Sequence, residues 1–110
     1  MNIESYPKHG HQVIRVLEDV RTDPELDELR DIVNEKAMRG MVHIALSFQP
    51  TCYPSSRFIA FLISCNRMLT EKQGSLTVIQ PNKEIVYILA TAGLLTFLRI
   101  FSSEDEMAPS

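Results

Sequence analysis

The chain has 110 residues and a mass of 12.5 kDa, which is enough for one domain with its own core but leaves little room for a second. Its net charge of −3 and its scattered basic residues argue against a nucleic-acid-binding protein, because such proteins typically carry a basic face. The N-terminus lacks the basic start and apolar run of a signal peptide, and no apolar run is long enough to span a bilayer. We therefore expect a cytoplasmic protein with neither bound nucleic acid nor a membrane-inserted segment.

A β-hairpin is predicted at the N-terminus. Residues 3–6 form a weak strand, residues 7–10 have the composition of a turn, and the β-branched residues of 12–17 favour a second strand. His9 and His11 flank the turn, but the sequence supplies no obvious further ligands. We therefore expect no metal site there.

The first helix has clear start and stop signals. Thr22 and Glu25 fit a capping box, and Pro24 suits the first helical turn because its missing N–H would have no intrahelical partner there. Apolar residues then recur at helical spacing as far as Ala37, and Gly40 is placed to end the helix in a left-handed conformation. The acidic residues on the other face are expected to be solvated.

The same alternation of strand and helix continues along the chain. The predicted elements are a strand at 41–48, a helix at 56–72 ended by Gly74, a strand at 75–80, a helix from an Asn82 cap to residue 92 ended by Gly93, and a strand at 96–101. Such alternation implies right-handed β-α-β crossovers. The predicted fold class is therefore α/β: a small single domain spanning 1–110, in which the N-terminal hairpin is followed by β-α units that form a mostly parallel, mixed five-stranded sheet flanked by helices. Residues 102–110 are expected to form one short helical turn capped by Ser102 or Ser103, or to fray.

The junction between the third strand and the second helix carries the most chemistry. There the chain reads QPTCYPSSRF over residues 49–58, so that hydroxyl groups, free backbone N–H groups and one arginine meet at a helix N-terminus. Helix N-termini attract anions because of these N–H groups and the helix dipole. The cation of Arg57 is unfavourable in that field, and a bound anion or an acidic partner would offset it.

Four segments, taken with the element order, resemble one known family. They are VHIALS at 42–47, YPSSRF at 53–58, GSLTVI at 74–79 and ILATAGL at 88–94. In that order they are similar to the central strand, the serine motif, the GG-x-L-x-L-V strand and the L-x-x-x-G-L helix end of the STAS domain, the family of bacterial anti-sigma factor antagonists. The resemblance extends over nearly the whole chain and implies the STAS-like fold.

The resemblance also implies a non-enzymatic regulatory protein that works by partner switching and needs no cofactor. In the family, a serine at the start of the second helix is phosphorylated by an anti-sigma factor that is also an ATP-dependent kinase, and phosphorylation breaks the complex between them. Ser56 aligns with that serine, and Ser55 lies beside it. The expected partner is such a kinase or another signalling protein, with a homodimer as a further option. The implied partner-binding residues are Tyr53, Pro54, Ser55, Ser56, Arg57, Phe58 and Phe61, and no metal ligand is among them.

Two residues depart from the family pattern and leave alternatives open. Pro54 replaces the aspartate that precedes the serines, and Arg57 replaces the glycine that follows them. One alternative is that Ser55 only caps the helix while Arg57 points into solvent. Another is a STAS scaffold or assembly subunit of a signalling or transport complex that is not phosphorylated.

Apolar and cysteine side chains of this region bear on the choice between an enzyme and a binding module. Phe58 and Phe61 are either both buried, or one of them is exposed and serves as an interface. Cys52 and Arg57 are spaced as C-x4-R, one residue shorter than the C-x5-R of cysteine phosphatases and without its glycines, so we do not expect a phosphatase site. Cys65 lies on the apolar stripe of the helix and is expected to be buried and inert.

Overall fold

The computed structural model describes residues 1–107 and contains the strands and helices that the sequence predicts. In chain order these are β1 (Ile3–Lys8), β2 (His11–Val16), α1 (Asp23–Met38), β3 (His43–Ser47), α2 (Ser56–Glu71), β4 (Ser75–Ile79), α3 (Lys83–Thr91) and β5 (Arg99–Phe101). Short 3-10 turns follow α3 and β5, at Leu94–Thr96 and Glu104–Glu106. The predicted terminal turn is thus present, with Ser103 at its N-cap position although the serine side chain makes no capping bond. The rest of the predicted tail, residues 108–110, lies outside the described residues.

The strands form one five-stranded sheet in the order β1-β2-β3-β4-β5. The β1–β2 pair is antiparallel, and the three pairs that follow are parallel. His9 and Gly10 join β1 to β2 with φ of 52° and 79°, the geometry of a tight hairpin turn whose twist matches that of the strands. The predicted fold class, a small α/β domain with a mixed, mostly parallel sheet, is confirmed.

The helices α1, α2 and α3 pack on the same face of the sheet. Each parallel connection moves to the next strand in the same direction, so right-handed crossovers bring every helix to one side. Buried side chains on that side form one core cluster, in which Leu29, Leu62 and Leu89 of the three helices lie with Ile44 and Val78 of the central strands. Since buried apolar area stabilises by about 25 cal/mol per Å², this cluster is the main source of the fold's stability.

The C-terminal segment lies across part of the opposite face of the sheet. Its Met107 is buried there with Val13, Ala45 and Ile79. Tyr6 and Phe101 pack around this smaller cluster. The sheet therefore has apolar contacts on both faces, but the described helices cover only one of them.

Glu104 fixes this segment to the first two strands. Its carboxylate accepts hydrogen bonds from the Tyr6 hydroxyl (2.5 Å) and from Nε and Nη2 of Arg15 (3.2 and 2.7 Å), while Lys8 donates to the adjacent Asp105 (2.9 Å). Burial alone would raise the pKa of Glu104, but the hydrogen bonds from Tyr6 and Arg15 and the nearby positive charges outweigh it, so the pKa lies below its ordinary value. Burial, followed by the hydrogen bond to the carboxylate, raises the pKa of Tyr6 to about 12. Ionic contacts thus add to the apolar ones that hold the segment.

The predicted helix starts are confirmed. Thr22 caps α1 in a complete capping box, in which its backbone N–H donates to Glu25 (2.9 Å) and its hydroxyl accepts from the Glu25 N–H (3.4 Å). Ser55 caps α2, and Asn82 caps α3. Each cap satisfies a backbone N–H that has no partner within its own helix.

The end of α2 differs from the prediction that Gly74 closes it. The left-handed residue is Gln73, with φ of 64°, and the Gly74 N–H donates to the Leu69 carbonyl (2.7 Å) to complete the cap. Glycine is required at 74 for another reason, because a Cβ there would lie 2.0 Å from the Val42 carbonyl oxygen. This close approach lets the N–H of Ser75 bond to the same oxygen (3.0 Å), so that β4 begins beside β3.

The last strand is shorter than the predicted 96–101. Gly93, at φ of 81°, ends α3, and the chain then turns so that the Thr96 hydroxyl donates to the Gly93 carbonyl (2.7 Å). Leu94 and Leu98 are both buried. In a strand residues 94, 96 and 98 would share one face, but Thr96 is exposed while Leu94 and Leu98 are buried, a pattern that suits a helical turn. Only the three residues of β5 remain extended.

Candidate protein-binding site

The paired serines lie at the edge of the sheet where the parallel strands end. The strands β2, β3 and β4 run in the same direction, so their carboxyl ends meet at this edge together with the loops that lead into the helices. Since β3 lies between β2 and β4, its loop of residues 48–55 is flanked by the other two loops. The candidate site is this loop and the first turn of α2.

Amide side chains fasten the loop to both neighbouring strands. Nε2 of Gln49 donates to the Val16 carbonyl at the end of β2 (3.0 Å), and Nε2 of Gln80 donates to the Gln49 carbonyl (3.2 Å). Nδ2 of Asn82 donates to the Pro50 carbonyl (3.0 Å). Sequence reasoning missed these contacts because the partners are 31 to 33 residues apart. The one available signal is that amide side chains stand shortly after β3 and β4, at Gln49, Gln80 and Asn82.

Asp19 joins the same loop to the loop before α1. Oδ1 of Asp19 accepts from the Thr51 hydroxyl (2.7 Å), and Oδ2 accepts from Nη2 of Arg21 (2.8 Å). The hydrogen bond from Thr51, followed by that from Arg21, lowers the pKa of Asp19. A pocket of about 390 Å³ opens here, lined by Arg21, Thr51, Tyr53 and Ser55 with Val20. Arg21 therefore lines the same pocket as Ser55, the residue that caps α2.

Ser55 and Ser56 occupy different positions in α2. The Ser55 hydroxyl is the N-cap and accepts from the Phe58 N–H (3.1 Å). Ser56 is the first helical residue and is exposed, and no hydrogen bond of its hydroxyl occurs within residues 1–107. Tyr53 is exposed and Pro54 is half-buried. A phosphate on Ser56 would leave the cap intact, whereas a phosphate on Ser55 would modify the capping oxygen itself.

Arg57 is paired with the other helix. Its Nη1 lies 2.5 Å from Oδ2 of Asp23, the first residue of α1. Both side chains are more than half exposed, so the pair contributes only about 0–1 kcal/mol to stability. The unfavourable charge of Arg57 at the positive end of the α2 dipole is thus offset within the chain, whereas the sequence suggested a bound anion or a partner. The Arg57 side chain is 76% exposed, as the alternative of a solvent-facing arginine expects, but it is paired with Asp23.

Phe58 and Phe61 are both buried, which corrects their assignment as partner contacts. Phe58 packs edge-on against Phe48 with ring centroids 5.0 Å apart, and the Arg30 guanidinium lies 5.9 Å from the Phe61 ring centroid. The reason is that α2 is covered by the sheet and by α1 at once. The accessible members of the predicted contact set are Tyr53, Pro54, Ser55, Ser56 and Arg57.

An open groove of about 420 Å³ runs between α1 and α2 from the Arg57–Asp23 pair. Asp27, Arg30 and Ser64 line its further part. Charges of both signs therefore lie along it.

Neither cysteine has the environment of a nucleophile. Cys52 is buried and its Sγ donates to the Val20 carbonyl (3.8 Å), and burial raises its pKa. Cys65 is buried, as predicted, and burial raises its pKa to about 12. A reactive cysteine needs a lowered pKa. Because Arg57 is directed to Asp23, the Cys52–Arg57 pair does not form a phosphate clamp in this structure.

Within residues 1–107, no three or more His, Cys, Asp and Glu side chains are grouped so as to hold a metal ion. None of the helices described combines the length and the apolar character needed to cross a membrane. Comparison with known proteins finds neither a matching family model nor a matching curated protein. The resemblance to the STAS family thus stays a prediction.

Proposed function

We propose that this chain is a non-enzymatic regulatory module of the STAS type, which acts in the cytoplasm. It binds an anti-sigma factor with serine-kinase activity, or a related signalling protein. The binding surface consists of the loop before α2 and the first turn of that helix, with Tyr53, Pro54, Ser55, Ser56 and Arg57 as its accessible residues. Phosphorylation of Ser56 releases the partner.

The position of Ser56 carries this proposal. Its hydroxyl is exposed at the first residue of α2, where the free N–H groups and the helix dipole favour negative charge. The free domain therefore tolerates a phosphate, which adds about −1.5 to −2 charges. A partner packed on the same turn would have to desolvate those charges, and an acidic partner surface would repel them. Phosphorylation thus opposes binding while leaving the helix intact.

Arg57 modifies this switch. Its guanidinium is engaged by Asp23 in the unmodified domain, and a phosphate on the preceding residue would compete with that carboxylate for the same group. The variant Arg57→Gly carries the residue that the family has at this position. If the arginine hinders the kinase, Arg57→Gly should be phosphorylated faster than the wild type.

Phosphorylation is tested on the protein isolated from its own cells. Trypsin releases residues 40–57 as one peptide, because Arg39 and Arg57 are its flanking cleavage sites. The fragment ion that contains only Ser56 and Arg57 carries the phosphate if Ser56 is modified and lacks it if Ser55 is modified. We expect phosphate on Ser56 and an ATP-dependent kinase among the proteins that co-purify. Stable partners with no phosphate on either serine would favour the alternative, a non-phosphorylated scaffold.

The switch itself is tested by affinity for the identified partner. By titration calorimetry, Ser56→Asp should bind at least about tenfold more weakly than the wild type, equivalent to about 1.4 kcal/mol, whereas Ser56→Ala should bind normally. Thr70→Asp is the matched control, since it adds the same charge to an exposed hydroxyl residue about four turns further along α2, outside the groove between α1 and α2. Equal affinities of the wild type and Ser56→Asp would contradict the switch.

A further inference from the structure

A further pocket lies on the face of the sheet that the helices leave open. Arg15, Ser47 and Ile79 are aligned in register on β2, β3 and β4, so their side chains project from the same face. That face is opposite the core cluster, because the preceding residues Leu46 and Val78 belong to the core. The three side chains line a pocket of about 540 Å³, which we call the Ser47 pocket. It lies at the carboxyl ends of parallel strands, where open α/β sheets commonly bind ligands.

Ser47 places a buried hydroxyl without a partner in the wall of this pocket. The residue is 8% exposed, and no hydrogen bond of its hydroxyl occurs within residues 1–107. Buried hydroxyls are normally hydrogen-bonded, because leaving one unpaired costs free energy. Since Ser47 lines the pocket, a molecule bound there would supply the missing partner.

Two further polar groups of the Ser47 pocket retain hydrogen-bonding capacity. Arg15 donates to Glu104 from Nε and Nη2, but its Nη1 donates to no group of residues 1–107. Gln49 uses Nε2 to reach the Val16 carbonyl, and its Oε1 accepts from no donor in the described part of the chain. The pocket therefore offers donors from Arg15 and Ser47 and an acceptor from Gln49.

Apolar side chains form much of the remaining wall. Ile79 is buried and lines the pocket from β4. Leu17 (37% exposed), Pro50 and Pro81 follow the ends of β2, β3 and β4 and also line it. Small-molecule sites of about 300–1,000 Å³ combine mostly apolar walls with a few polar groups that fix the orientation of the ligand. The Ser47 pocket has this composition and size.

The charges of the wall favour an uncharged ligand. The Arg15 guanidinium and the Glu104 carboxylate lie 2.7 Å apart and balance each other. A carboxylate ligand would be repelled by Glu104 and an ammonium ligand by Arg15, and either would lose its hydration. An amide group avoids both penalties. Its oxygen accepts hydrogen bonds, as the free donors of the pocket require, and its N–H donates, as the free oxygen of Gln49 requires.

We propose that the Ser47 pocket binds an uncharged small molecule in which an amide group is joined to an apolar body. The amide bonds to the free groups of Arg15, Ser47 and Gln49, and the apolar body packs against Leu17 and Ile79. The site lies on the face of the sheet opposite α2. It therefore does not depend on the proposed phosphorylation switch.

Titration of the ¹⁵N-labelled chain with benzamide, followed by ¹H–¹⁵N NMR, tests the site. We expect saturable shifts of the backbone signals of residues 15, 47–49 and 79, with a dissociation constant in the millimolar range because the probe is small. Benzoate has nearly the same shape but carries a negative charge. It should bind at least about tenfold more weakly, since it meets the Glu104 carboxylate.

Ser47→Ala should weaken benzamide binding by about three- to tenfold, the effect of losing one hydrogen bond. The variant should fold, because the hydroxyl has no partner within residues 1–107 to lose, and circular dichroism melting checks this. Thr77→Val is the matched control. It removes another buried hydroxyl without a partner from the same face of the sheet, but Thr77 does not line the pocket, so binding should be unchanged.

Three results would overturn the proposal. The first is the absence of saturable shifts at residues 15, 47–49 and 79 up to about 50 mM benzamide, a concentration at which even a weakly binding small probe is bound. The second is benzoate binding as tight as that of benzamide, which would exclude an uncharged ligand as the preferred class. The third is equal benzamide affinity of the wild type and Ser47→Ala.

Discussion

Replacing Glu104 with glutamine should loosen the C-terminal segment from the sheet. The change keeps the size of the side chain but removes its charge, and one oxygen remains for the hydrogen bonds that Tyr6 and Arg15 donate to two. A hydrogen bond to a charged group contributes about 1.5–3 kcal/mol. The Arg15 side chain is 41% exposed, however, and solvent weakens its part of the interaction. We therefore expect a loss of about 2 kcal/mol in the free energy of unfolding at neutral pH, or about 8 °C in Tm for a chain of this length.

The pH dependence of this loss follows from the direction of the pKa shift. The pKa of Glu104 is lower in the folded than in the unfolded state, so its charged form stabilises the fold above the ordinary value of 4.5. That stabilisation is lost as the pH falls through the lowered pKa. The difference between wild type and Glu104→Gln should therefore be complete at neutral pH, shrink below pH 4.5, and vanish once the carboxyl is protonated in both states.

Urea unfolding followed by circular dichroism, at neutral and at acid pH, measures both effects. Asp105→Asn is the matched control, because it removes the same charge from the next residue, whose largely exposed carboxylate pairs with Lys8. This control should change the stability little. The reasoning would be refuted by a Glu104→Gln variant as stable as the wild type at neutral pH, or by a difference that is the same at both pH values.

Gln73→Gly should stabilise the fold by about 0.5–1 kcal/mol, because it removes a side chain from a left-handed conformation at the end of α2. Gly74→Ala should be destabilising, since its Cβ would meet the Val42 carbonyl oxygen, and thermal unfolding of both variants distinguishes the two roles. Cys52 and Cys65 should not react with a thiol reagent in the native protein but should react in urea. Rapid labelling of Cys52 without denaturant would contradict its buried position.

The sequence was sufficient where the decisive signals are local. Thr22, Ser55 and Asn82 are small polar residues directly before apolar periodic segments, and each caps the helix predicted from it. The alternation of such helices with apolar runs also determined the fold class, because parallel strands require long crossovers. Neither inference needs a residue far away along the chain.

Other features could not be predicted, because they depend on contacts between distant residues. Glu104 lies 98 residues from Tyr6, so nothing near either residue signals their hydrogen bond. We expected a bound anion or an acidic partner to balance the charge of Arg57, but the carboxylate that does so belongs to Asp23, 34 residues earlier in the chain. Phe58 and Phe61 were ambiguous because their burial requires both α1 and the sheet, and the pattern of α2 alone does not say how many sides of it are covered.

The loop that carries the serines is held at its start and in its middle. Gln49 and Gln80 fasten its start to the neighbouring strands, while Asp19 bonds Thr51 in its middle. A loop fixed in this way loses little conformational entropy when a partner binds. Phosphorylation of Ser56 therefore requires no rearrangement of the loop. Its effect on the partner comes from the added charge and from the cost of desolvating that charge.

Ser56→Asp should for this reason leave the isolated domain as stable as the wild type, or raise its free energy of unfolding by about 0.3–1 kcal/mol. The aspartate would stand at the first residue of α2, where negative charge is favourable, and the Ser55 cap would remain in place. Ser56→Lys, with the opposite charge at the same exposed position, should lower the stability by a similar amount. Thermal unfolding in low salt compares the variants, since added salt screens the effect. A destabilised Ser56→Asp would mean that its effect on binding comes from unfolding of the first turn, and charge would no longer explain the switch.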